Sequence, residues 1–172
     1  MLSGVHLHLL VNHAPILGAL FALALLAASF IWAPDVLRRT ALVVLIVTGI
    51  AGFVADQSGE PAEDAIRGFP GVKRAVIHEH EELGEKAFIA ASIVGVLAIG
   101  VLARWRRTPI PQGVAVGALV GAAVVSGMMV YTGLLGGQVR HTEVRPGATA
   151  TDATTIEPRR PGGPPGGERP PE

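Results

Sequence analysis

Cysteine is absent from this chain of 172 residues, which removes disulfides, cysteine-held iron–sulfur clusters, covalently attached haem and thiolate zinc sites from consideration. Charge is scarce as well: Asp, Glu, Lys and Arg make up 16% of the residues, against 49% hydrophobic. The mean hydropathy of +0.46 is high for a soluble domain of this size. Catalytic signatures are missing too, with no Ser/His/Asp order, no HExxH and no phosphate-binding glycine loop. No enzyme chemistry of the chain's own is legible, and no nucleic-acid partner is expected. Met1–Leu7 lacks a basic stretch, and the apolar segment beyond it is too long for a signal peptide. The first helix is therefore expected to be retained.

What the sequence does have is apolar length. Four runs stand out, Ala14–Ala33, Ala41–Ala55, Ala87–Ala103 and Val114–Gly136, and the chain reverses after each. A run of about 20 residues crosses a hydrocarbon core of about 30 Å. The first and fourth runs reach that length, and the other two need interfacial ends to complete the span. The expected fold is all-α: a four-helix transmembrane bundle over residues 1–145 with a short extramembrane helix. From Pro146 to Glu172 almost nothing is apolar, so that tail is expected to be disordered.

Basic residues set the orientation. The short connections Pro34–Arg39 and Arg104–Pro109 hold Arg38, Arg39, Arg104, Arg106 and Arg107 against the single acid Asp35. The opposite loop, Asp56–Lys86, mixes Arg67, Lys73, Arg74 and Lys86 with eight carboxylates. Dense positive charge in short loops marks the cytoplasmic side, which puts both termini outside. Trp32 and Trp105 then sit at the cytoplasmic interface, as an aromatic belt does.

Local signals refine the helices. Either the first helix opens at Ser3-Gly4 and Pro15 kinks it by withholding a bond from Val11, or Asn12 is the N-cap and Pro15 lies in the first turn. Gly59-Glu60-Pro61 reads as a turn into a short acidic helix, Pro61–Arg67, which Gly68-Phe69-Pro70-Gly71 ends. From Val72 onward Val76, Ile77, His80, Leu83, Gly84, Ala87 and Phe88 form one stripe at helical spacing, with His78, Glu82 and Glu85 on a second, more polar one. Gly113, Gly117 and Gly121 recur every four residues, a face that lets membrane helices approach closely.

The chemistry lies in the histidines. His6, His8 and His13 precede the first run, His78 and His80 the third, and His141 follows the fourth, so alternation gathers all six on one face. Imidazole is the commonest metal ligand and also ligates haem. Met128-Met129 and the glutamates Glu79, Glu81, Glu82 and Glu85 are weaker candidates, better read as core packing and a solvated helix entrance.

The segment His8-Leu-Leu-Val-Asn12-His13-Ala-Pro15-Ile-Leu-Gly18 resembles the opening of a family of small bacterial four-helix inner-membrane proteins, catalogued only as a domain of unknown function. Gly59-Glu60-Pro61-Ala62-Glu63, His80-Glu81-Glu82 and Gly136-Gly137-Gln138-Val139-Arg140-His141 are similar to further motifs of that family, in the same order. The resemblance covers the chain up to about Arg145. It implies the fold, a bacterial inner membrane, and His8, His13, His80 and His141 as the family-like positions, with His6 and His78 as local extras. It implies no activity.

Those four histidines come from three helices, which is how bundles build cofactor sites. The expectation is a site for haem b or a transition metal, with Glu60 or Glu82 as added metal ligands, in an electron-transfer component of a larger membrane complex. A non-catalytic accessory or scaffold subunit, and a metal-handling membrane protein, are the other readings.

Overall fold

The computed structural model describes residues 4–157, and the regular elements among them are all helices. The first span is made of α1 (Gly4–Val11) and α2 (His13–Ala28). The others are α3 (Pro34–Ile66), α4 (Arg74–Arg104) and α5 (Gln112–Arg140). All four are long and apolar enough to cross a membrane. Helices α2, α3, α4 and α5 pack in a ring in that order, with α5 closing back onto α2, while α1 lies against α3. The chain is a multi-pass membrane bundle.

Small residues set how close the helices come. Ala19, Ala22, Ala41, Ala87, Ala91, Ala98 and Ala122 are buried in the core. A Cβ at Gly49 of α3 would lie 3.2 Å from the Ala91 carbonyl, and one at Gly95 of α4 would lie 3.4 Å from the Leu45 carbonyl. Where lipid replaces water, such backbone approach is what binds helices together. The glycine stripe on α5 is used differently from the sequence expectation. Gly121 meets Val94, but Gly113 and Gly117 face open space. Spacing shows that a face permits close approach, and only the bundle decides whether a helix is there.

One end of the bundle is clamped by arginine. Asp35 accepts from Arg39 Nε at 2.7 Å and from the Ile110 amide at 2.9 Å. Arg39 also donates to the carbonyls of Trp105 and Thr108, both at 2.8 Å, and Arg38 to that of Ile110 at 2.7 Å. The two short connections are thereby tied to each other. Ala33, just before Pro34, turns the chain with a left-handed φ of 37°.

At the other end the helices outrun their apolar segments. Helix α3 continues through Pro61 to Ile66, so Gly59-Glu60-Pro61 is no turn and the acidic helix is the end of the second span. A helix-interior proline costs about 3 kcal/mol through a missing bond and a ring clash. The helix runs through it here with α1 in close contact: a Cβ at Gly4 would be 2.5 Å from Pro61 Cβ. The break comes where expected, at Gly68 and Gly71, which take φ of 87° and 79°, a region other residues avoid.

The first part of the expected tail is folded. A short 3-10 turn at Ala150–Ala153 is capped by Thr149 and Asp152. Lys73 pairs with Asp152, Arg74 pairs with Glu157 at 3.2 Å, and the Gly71 amide donates to the Thr155 carbonyl at 2.9 Å. Arg145, almost fully buried, donates to the Gln138 and Val139 carbonyls at the end of α5. Composition counts apolar residues, whereas this segment is held by charge and backbone hydrogen bonds. Residues 158–172, the remainder of that expectation, lie outside the described ones.

Candidate functional site

Pro15 decides how the first histidines are presented. It brings no N–H to the Val11 carbonyl, and the helix is interrupted between α1 and α2 at Asn12. Asn12 keeps helical angles, φ −61° and ψ −27°, and makes no side-chain cap, so of the two readings the kinked helix holds. Helix α1 lies against α3, while α2 packs in the ring between α3 and α5.

His8 is half-buried there. Its Nδ1–H donates to the Ala55 carbonyl at 3.0 Å and lies 3.1 Å from Ser58 Oγ, which itself donates to the same carbonyl. His80, on the apolar stripe of α4, is half-buried too, and its Nδ1–H donates to the Thr132 carbonyl of α5 at 2.9 Å. The two rings meet edge to face, with centroids 6.5 Å apart and planes at 86°. His80 lies so close to α5 that a Cβ at Gly136 would be 2.9 Å from its Cε1.

A carbonyl oxygen only accepts, so Nδ1 carries the hydrogen in both rings. In the neutral imidazole Nε2 then keeps its lone pair. Metal-ligating histidines characteristically show this arrangement, one nitrogen donating to a carbonyl so that the ring is fixed and the other nitrogen is free to bind.

The remaining expected site residues do not join the pair. His13 is exposed at the start of α2. His141 is exposed past the end of α5 and contacts Glu143 at 2.9 Å. The backbone amide of Glu143 and the neighbouring His141 hold that carboxyl below the usual range. Glu60 is exposed on α3, and Glu82 is exposed and bound to Lys86 at 2.7 Å. His6 and His78 are exposed as well. Among the described residues no three of His, Cys, Asp and Glu converge as a metal-holding group. Of the expected four histidines, the structure brings together two.

Sequence reasoning did not single out Ser58, Thr132 and Gly136 as partners of the histidines. Gly136 stood in one of the family-like motifs, and a residue that small beside a helix-facing histidine was the available signal. Ser58 and the Thr132 carbonyl gave none, because a main-chain acceptor has no side-chain signature.

Fold and site together define a class: a four-span membrane bundle that holds a half-buried, hydrogen-bonded histidine pair at one end. No protein-family model matches the chain, and neither does any curated protein or solved structure.

Proposed function

We propose that the chain is a bacterial inner-membrane protein whose histidine end faces outward, and that His8 and His80 bind a transition-metal ion there. The resemblance of its four motifs supports the location, and the arginines of the two short connections support the orientation. One observation carries the ligand reading: both imidazoles are fixed through Nδ1 by carbonyls of other helices, Ala55 and Thr132, which leaves Nε2 of each without that bond, on rings whose centroids are 6.5 Å apart. Nitrogen donors of this kind suit zinc, copper, nickel or iron. A redox-active ion at this place serves electron transfer within a larger membrane assembly. A haem b between the same histidines is less favoured, because Gly136 packs on the His80 ring and a macrocycle would have to displace α5.

The same bonds favour a second reading, an accessory subunit in which the histidines only tie α1 to α3 and α4 to α5. Asparagine separates the two, because its amide nitrogen stands near the place of Nδ1 and nothing replaces Nε2. His80→Asn, in purified protein, is expected to keep thermal stability within about 1 kcal/mol, as one retained hydrogen bond allows, and to lose bound metal. Metal content by elemental analysis and a visible spectrum are read together. Metal retained in both His8→Asn and His80→Asn, or none in the parent protein, sinks the ligand reading. A Soret band identifies haem.

A further inference from the structure

Asn12 is the residue that the histidine pair leaves unexplained. Its amide oxygen is buried without a hydrogen-bond partner, an arrangement that costs free energy unless something else satisfies it. Its place along the helix is bracketed by two contacts. His8, one turn before it on the same face, reaches the His80 ring. Ile16, one turn after it, packs on Gly133, the neighbour of the Thr132 whose carbonyl holds His80. Asn12 thus lies on the stripe that runs from His8, which reaches His80 of α4, to Ile16, which reaches Gly133 of α5. The helix is also interrupted at this residue, because Pro15 supplies no N–H to the Val11 carbonyl.

We propose that the Asn12 amide oxygen is the third protein donor of the site, completing with His8 and His80 a two-nitrogen, one-oxygen set for a divalent first-row ion, zinc or copper(II). This rests on the reading of His8 and His80 as ligands and adds the donor and the class of ion to it. Two imidazoles and an amide oxygen form a borderline set without thiolate or thioether, which disfavours copper(I). Three protein donors also leave a position for water or an exogenous ligand, as open metal sites do. Binding involves no redox step: three lone pairs replace waters of the ion.

The test uses the full-length protein in detergent, freed of metal and titrated with zinc against a chromophoric chelator. The double variant His8→Asn/His80→Asn supplies the background from exposed histidines. Asn12→Ala is expected to weaken zinc binding about 10- to 100-fold, the scale of losing one supporting group at a metal site, while the metal-free protein melts no lower than the parent. Asn12→Asp, which places a carboxylate at the same point, is expected to bind zinc at least as tightly as the parent and to gain more thermal stability from it. Parent affinity in both Asn12 variants, with loss in the double histidine variant, overturns the Asn12 assignment and leaves the pair standing. A metal-free Asn12→Ala protein that melts lower or fails to fold assigns Asn12 to packing and also overturns it. Parent protein that binds no more zinc than the double variant overturns the pair and this inference together.

Discussion

Two single residues carry conformational or steric demands that substitution can read directly. Ala33 turns the chain into α3 with φ 37°, a left-handed angle at which a Cβ is crowded and glycine is not. Replacing it with Gly is expected to stabilise the protein by roughly 1 kcal/mol, since the left-handed conformation costs an L-residue about 1–2 kcal/mol. A rise in the thermal midpoint in detergent checks this, and an unchanged or lower midpoint refutes it. Gly136 is the opposite case. An added methyl would stand 2.9 Å from His80 Cε1, on a ring already held by Thr132. Gly136→Ala is therefore expected to destabilise by about 1–3 kcal/mol, the usual range for overpacking, and to lower metal content as the ring shifts. Neither demand is visible in composition. Ala33 looks like the end of an apolar run, and Gly136 like one more small residue in a membrane helix.

At the scale of elements, the segment after α5 shows how charge orders what apolar content does not. Lys73 and then the Thr149 backbone and hydroxyl hold the Asp152 carboxyl well below the ordinary carboxylate range. A depressed folded-state pKa means that this contribution is present in full above the unfolded value, near pH 4, and is lost as pH falls through the folded one. Limited proteolysis of residues 146–157 should accordingly stay slow from neutral pH down to about pH 4 and quicken only below it. Asp152→Asn should be cut faster already at neutral pH, and high salt should narrow the difference, because the pair is partly open to solvent. Equal cleavage of parent and variant at neutral pH would show that the pair does not hold the segment. The same scale explains the continuous α3. Read alone, Gly59-Glu60-Pro61 is a turn, but α1 packs on Pro61 and the helix runs through.

At the scale of the molecule, the proposed orientation sends the histidine end outward and the arginine clamp to the cytoplasm. A chain without cysteine makes this simple to test. In intact cells a membrane-impermeant thiol reagent should label Ile156→Cys, and label Thr108→Cys only after permeabilisation; both side chains are exposed. The reverse pattern would invert the topology and place the histidine pair in the cytoplasm.

The sequence by itself determined the four spans, their alternation and the gathering of the histidines at one end. Each of these depends only on the length of apolar runs and on which end of a span a residue occupies. It determined that His80 faces the bundle as well, because six apolar or small neighbours share its stripe at helical spacing. Which histidines meet was decided by tertiary structure. His13 stands beside Pro15 in the same motif as His8, yet five residues along a helix of about 3.6 residues per turn it lies on another side and is exposed, while His8 meets His80. His141 follows the last residue of α5, beyond the packed interface, where solvent and Glu143 claim it. Convergence is a property of helix rotation, tilt and the backbone carbonyls within reach, and in this bundle those are fixed by the small residues across each interface, among them Gly4, Gly133 and Gly136. No periodicity within one helix encodes what its neighbours leave open.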